Sequence, residues 1–176
     1  MAYSISKKFF RHSLAVAILV FGPCAFAQQK APVQVEQAAA YPHIAGMQIK
    51  QAEFGVFKDL DNPGATLDPA RGVARDGKPI GWVIALDSQK PMVRWREEFS
   101  VPTPPKRWGF APDARDVRPA SLSPDKLTAS TERLVPVSGG TISHWWKLDA
   151  SDPRGPHTMK VYVEDVLVAD FAFEVN

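Results

Sequence analysis

Cysteine is nearly absent from this chain: Cys24 is the only one in 176 residues. A fold held by disulfides is therefore excluded, and thiol chemistry has one candidate at most. Histidine is scarce too, with His12, His43, His144 and His157. That is a thin supply of general bases and metal ligands. Long hydrophobic runs are missing as well. The longest, Leu14–Phe21 (LAVAILVF), is far short of the roughly 20 residues that a membrane-spanning helix needs. There is no G-x-S-x-G, no H-E-x-x-H and no phosphate loop. Ser143 precedes His144, but neighbours on a strand point to opposite faces and cannot form a dyad.

What is present begins with a leader. Lys7, Lys8 and Arg11 precede the apolar run, and Ala25-Phe26-Ala27 supplies the small-x-small pattern cut by signal peptidase. Residues 1–27 are expected to be a signal peptide cleaved after Ala27, which makes the mature protein periplasmic or secreted. Cys24 leaves with it, and Pro23 just before Cys24 fits a lipidated cysteine poorly. The leader holds three of the 21 basic residues and none of the 19 acidic ones. The mature chain thus carries one more acid than base. Nucleic acid is excluded as a non-specific partner, because that needs a clear basic excess. With no disulfide, stability must come from a core, and about 150 residues suffice for one domain.

Residues 28–46 are rich in Gln and Ala and read as a flexible arm. The domain is expected over 47–176. Met47–Lys58 alternates, with Ala52, Phe54 and Val56 on one face. Asp59–Gly81 reads as a long Gly/Pro loop, and Trp82–Leu86 as a central strand. Pro91–Val101 places Val93, Trp95, Phe99 and Val101 on one face and Arg94, Arg96 and Glu98 on the other. Glu97 interrupts the apolar face, which suggests a bulge or a sheet edge. Pro102, Pro104 and Pro105 make an extended crossing. Asp113–Lys126 reads as loop with one helical turn after Ser123-Pro124. Glu132–Val137 reads as a short edge strand, Gly139-Gly140 as a turn, and Thr141–Leu148 as a strand.

His157–Val163 and Leu167–Val175 form a hairpin whose register can be argued. A three-residue turn, Glu164 to Val166, pairs Val163 with Leu167, Val161 with Ala169 and Met159 with Phe171, all on one face. The other face then sets Lys160 opposite Asp170. One register satisfies both faces.

About seven short strands, Gly/Pro-rich connections and no long helix after the leader indicate an all-β chain, a single antiparallel β-sandwich. The stretch from Trp146-Lys147-Leu148-Asp149 through Asp152-Pro153-Arg154-Gly155 to Val161-Tyr162-Val163 resembles the late strands of immunoglobulin-like domains in small bacterial secreted or periplasmic proteins. There a D-P-x-G turn feeds a V-Y-V strand and a hairpin. The resemblance covers about residues 146–175. It implies an immunoglobulin-like sandwich and a binding or structural role, and it brings no catalytic residue.

Candidate binding residues follow from the faces. Ile142, Trp146 and Leu148, with His144, form the buried set of their strand, so Trp145 faces outward beside Ser143 and Lys147. An exposed Trp stacks on sugars or anchors protein partners. The expectation here is that the loop carrying Trp108 covers it. Arg94 and Arg96, with Lys106 and Arg107, could receive an acidic partner, although such a row is commonly a solvated face. If the strands of His144 and His157 pair through the turn at 149–156, the two lie about 13 Å apart along the ladder, too far for one zinc. Asp59, Asp61, Asn62 and Asp68 lack calcium-loop spacing. No metal and no cofactor is expected. Glu97, Glu98, Asp149 and Asp152 are the nominal carboxylates for a hydrolase.

The expected function is a non-catalytic binding or envelope accessory module. Its partner would be a cell-envelope protein, contacted through Trp145, Trp108, Arg94, Arg96 and Arg107. A carbohydrate-binding module reading polysaccharide through an exposed Trp is the alternative. A small carboxylate-dependent hydrolase is the second alternative. No transmembrane anchor is expected in the mature chain.

Overall fold

A computed structural model of the protein describes residues 41–58, 66–109, 116–137 and 139–176, with the backbone alone at 116–119. The leader with its cleavage site, residues 28–40 of the arm, and Asp59, Asp61 and Asn62 lie outside the described residues. No helix among the described residues is long and apolar enough to cross a membrane.

Alternation of side chains dominates the architecture. The described strands are β1 (Met47–Phe57), β2 (Leu67–Pro69), β3 (Gly72–Val73), β4 (Pro79–Ser88), β5 (Met92–Ser100), β6 (Asp116–Leu122), β7 (Thr128–Pro136), β8 (Thr141–Lys147), β9 (Gly155–Val163) and β10 (Val166–Val175). They build a four-stranded sheet, β2-β1-β4-β8, and a six-stranded sheet, β3-β10-β9-β5-β7-β6. Pairing is antiparallel except for β3, which runs parallel to β10. The inner faces meet through rings. Phe54 stacks on Phe173 at 4.3 Å, Trp82 meets Trp95 edge-on at 5.1 Å, and Trp146 lies 5.4 Å from Phe99. These contacts set β1, β4 and β8 over β10 and β5. Among the described residues, no further strand of the smaller sheet remains to cover β7 and β6.

The all-β sandwich of two sheets expected from the sequence is the fold found, with ten described strands in place of about seven. Several local expectations are corrected. The segment Asp59–Gly81 is not loop throughout, because β2 pairs with β1 and β3 with β10. Glu97 sits at neither a bulge nor an edge. It pairs in regular register with Thr131 of β7 and Val161 of β9, in the middle of the larger sheet. Residues 116–122 are strand, and Ser123 closes a turn rather than starting a helix. Its backbone and hydroxyl take the N–H of Lys126 and Thr128, respectively. The strand expected from Glu132 begins at Thr128 and lies inside the sheet, between β5 and β6. Gly139 and Gly140 have positive φ as a turn requires, yet they carry the chain between sheets.

Two bulges explain why β1 and β10 change phase. In β1 the register shifts between Ile49 and Gln51, so Met47 and Ile49 point inward before it and Phe54 after it. In the final hairpin the turn has two residues, Glu164 and Asp165, both with positive φ, and Val166 pairs with Val163. A bulge between Leu167 and Ala169 then restores the expected pairs Val161–Ala169, Lys160–Asp170 and Met159–Phe171. The left-handed turn lacks glycine but is held from outside. The Glu164 carboxylate accepts the Arg94 N–H at 3.0 Å, and Asp165 pairs with the Arg94 guanidinium at 2.5 Å. At the other end of the domain, Ile44 is buried and the Tyr41 hydroxyl accepts the Ala52 N–H at 2.8 Å. Residues 41–46 are therefore fastened to the sandwich.

β4 and β8 approach closely at Gly81, opposite Trp145. A Cβ built there overlaps the His144 carbonyl, whereas one at Gly109 meets open space. Gly81→Ala is expected to cost about 1–3 kcal/mol through overpacking. Gly109→Ala should leave the midpoint of urea unfolding unchanged, and a comparison of the two midpoints checks this.

Candidate functional site

Glu97 is the inward residue between Trp95 and Phe99 on β5, and only 1% of it is exposed. A lone carboxylate there would be very costly. It is satisfied instead by three ring N–H groups. Trp82 Nε1 donates to Oε2 at 2.5 Å, Trp146 Nε1 to Oε1 at 2.5 Å, and His144 Nδ1 lies 3.2 Å from Oε2. Burial pushes the carboxyl up. The charge and hydrogen bond of His144, with the bonds from Trp82 and Trp146, outweigh it and hold Glu97 below its ordinary value of 4.5. An ionised carboxylate with both oxygens engaged is a poor general acid. Its task is to clamp β4 and β8 of one sheet to β5 of the other.

Beside this clamp a cleft of about 460 Å³ opens where the smaller sheet ends. Phe99, Trp146 and Trp108 form aromatic walls, while Thr131 and Arg133 of β7 form the floor, which no strand among the described residues covers. Arg107, Lys147, Asp149 and Asp152 line its rim. Trp108 is carried by the strandless segment 101–109. It donates to the Lys126 carbonyl at 3.1 Å and meets Phe99 edge-on at 5.9 Å. Asp149 accepts both the N–H and the hydroxyl of Ser151, and Asp152 accepts the Asp149 N–H. These two carboxylates stiffen their own turn.

His157 lines the same cleft and is 1% exposed. Its Nδ1 donates to the Gly155 carbonyl at 2.9 Å, and Nε2 has no hydrogen-bond partner among the described residues. Burial pushes this imidazole down. The Gly155 carbonyl and the charges of Asp152 and Glu174 oppose that without reversing it.

Of the five candidate residues, the structure brings Trp145, Trp108 and Arg107 together around the cleft. Trp145 is 41% exposed, and Trp108 packs on Trp146, on the opposite face of β8. The expected cover over Trp145 is therefore absent, and the ring has Lys147 5.6 Å from its centre. Arg94 and Arg96 lie on the outer face of the larger sheet, away from the cleft. Arg94 pairs with Asp165; Arg96 pairs with Glu98 and lies 3.7 Å over the Tyr162 ring. The nominal carboxylates are separated too, with Glu97 in the core, Glu98 on the outer face, and Asp149 and Asp152 at the rim. His144 and His157 stand on strands of different sheets, so the ladder spacing expected between them does not apply.

Sequence reasoning missed Glu97 as an organising group, although its signal was present. It occupies the inward phase of V-R-W-R-E-E-F-S-V, matched by an inward His144 and Trp146. Thr131 escapes the sequence pattern because the strand expected over Glu132–Val137 starts one residue after it, and Arg133 lies inside that expected strand with no signal of its own.

Residues 52–176 match the family model described as the PM0630 beta sandwich domain. The chain belongs to this family. The crystal structure of an immunoglobulin-like protein from Pseudomonas aeruginosa is similar to this PM0630-type domain, with a TM-score of 0.50 and 16% identity. The match covers 78% of this chain and 100% of that one, and it shows the fold. An alkylpurine DNA glycosylase from Pseudomonas fluorescens matches at TM-score 0.36 and 12% identity, over 75% of this chain and 31% of that one. That likeness carries no argument. No curated protein matches the sequence.

Two acid-sensitive groups thus mark this PM0630-type sandwich. His157 titrates lower in the folded than in the unfolded chain. Its contribution is complete above about 6.5 and is lost as pH falls below that. Glu97 acts with the same sign, its contribution being lost below 4.5. Thermal midpoints are expected to drop in two stages on acidification, and His157→Phe should remove the first. Glu97→Gln sets an amide N–H against an indole N–H and should cost about 2–4 kcal/mol at neutral pH. Calorimetry across pH 3–8 (a range of roughly five units set by these ordinary values) checks all three.

Proposed function

We propose that the chain is an exported, non-catalytic binding module of the cell envelope, and that its partner is a protein seated at the cleft. The observation that supports this most directly is the cleft itself. It has the size of a ligand site, aromatic walls, and an exposed Trp145 at its lip, the residue type enriched in binding hot spots. The leader pattern supports export. The separation of the carboxylates, and the engagement of Glu97 with three ring N–H groups, speak for binding rather than hydrolysis. A second reading, a carbohydrate module, draws on the exposed indole face of Trp145, which could stack on a sugar ring.

A photocrosslinking residue placed at Lys147, on the cleft lip, tests the docking reading in cells. A protein is expected to crosslink there and not from Lys50 on β1, and to be lost with Trp145→Ala plus Arg107→Ala in a variant shown to be folded. Crosslinking of equal strength from both positions, or none, overturns it. Retention on envelope polysaccharide that Trp145→Ala abolishes would favour the second reading. N-terminal sequencing of the periplasmic fraction is expected to begin at Gln28.

A further inference from the structure

We propose that the open edge of β8 accepts one more strand, an extended segment of the partner protein, which lies over β7 and closes the cleft. This rests on the docking reading above and names the form in which the partner enters. The ladder determines which groups of β8 are on offer. The Leu86 N–H donates to the Gly140 carbonyl at 2.8 Å, and the same register carries on through Ile84–Ile142, Trp82–His144 and Ile80–Trp146. Antiparallel pairs alternate between those that exchange hydrogen bonds and those that do not. Ser143, Trp145 and Lys147 fall in the second set, so their N–H and C=O groups point away from β4. The close approach at Gly81, opposite Trp145, is the narrow spacing of such a pair. Among the described residues, no backbone of another segment pairs with this edge.

The other described edges are blunted, as open edges in soluble proteins commonly are. β2 has three residues and β3 two. Where β1 and β10 run past these, each holds a bulge, and the Tyr41 hydroxyl takes the Ala52 N–H of β1. β6 contains Pro119 and pairs with two irregularities. β8 is seven residues long, pairs in unbroken register and contains no proline. Its free side also borders the uncovered part of the larger sheet. β8 stands over β5, and the two strands beyond β5 leave about 10 Å of width at ordinary strand spacing. A second copy of this chain cannot use that width through its own β8, because its β5 would have to occupy the place of β7. One extended segment fits. Its outward side chains would lie beside Trp145, which is 41% exposed, and Lys147. That favours an aromatic or β-branched residue next to the first and an acidic one next to the second. Its inward side chains would enter the cleft above Thr131.

The test uses the purified protein and a displayed library of random peptides about eight residues long, the length of an ordinary strand, with amide hydrogen exchange followed by NMR. In the protein alone, the Ser143 and Trp145 amides are expected to exchange much faster than those of His144 and Trp146. A selected peptide should slow the first two. Ser143→Pro removes one of the offered N–H groups at an edge position that tolerates proline, and should weaken the selected peptides by about tenfold, the upper size of one neutral hydrogen bond. The exchange pattern decides the matter even if that variant fails to fold. Protection of Ser143 and Trp145 equal to that of His144 in the protein alone, no selected peptide, or peptides that bind without slowing these amides, overturns the proposal. So does a dimer of the protein alone, seen in sedimentation, that Ser143→Pro dissociates. If Lys147 crosslinks a protein equally with and without Ser143→Pro, strand addition falls and the docking reading stands. If Lys147 crosslinks nothing and no peptide is selected, both fall.

Discussion

The Glu97 carboxylate is the interaction on which the rest of this sandwich depends. Two sheets that meet through apolar side chains can slide past one another, since dispersion and the hydrophobic effect have little direction. Ring N–H groups aimed at two oxygens do have direction. Trp82 and His144 converge on Oε2 and Trp146 on Oε1, so β4, β8 and β5 share one relative position. Replacing such a polar cluster by apolar groups can leave stability unchanged. Its value here is geometric: it fixes which face Trp146 shows to the cleft and, by alternation along β8, sends Trp145 outward.

The unequal width of the sheets does the remainder. Among the described strands, six stand against four, and the excess lies on the β7–β6 side. A sandwich of equal sheets would have buried Thr131 and Arg133 under a partner strand, or replaced them with apolar residues. Here they remain polar because what lies above them is a cleft and a proline-rich loop. The prolines of that loop limit its conformations before anything binds, and Trp108 anchors it through one indole bond to Lys126.

Much of this was legible in the chain. Strict alternation identified β5 and β9, and the demand that both faces of the last hairpin be satisfied gave its register from Val161 onward. The turn was misjudged because the pattern says nothing of an extra residue. Val168 is absorbed in a bulge, and the left-handed Glu164 and Asp165 are stabilised by Arg94, 70 positions away for Glu164. Glu97 was visible as an inward acid, but its partners are non-local, and no local rule joins β5 to β8. β6 escaped notice because Val117-Arg118-Pro119-Ala120-Ser121-Leu122 has no clean period and holds a proline. Its place at the edge of the sheet tolerates both. The site was legible only as exposed aromatics. The cleft arises from sheet widths, which a single sequence does not encode locally.

The outer face of the larger sheet has a bearing on kinetics. Arg94 with Asp165, Arg96 with Glu98, Lys90 with Glu164 and Lys160 with Asp170 neutralise one another within a few ångströms. Paired charges cast little field beyond a Debye length. Among the described residues that face therefore casts no broad field of one sign. A partner of the kind proposed above that approached over it would meet no electrostatic funnel, and its association rate on that side would be nearly indifferent to ionic strength.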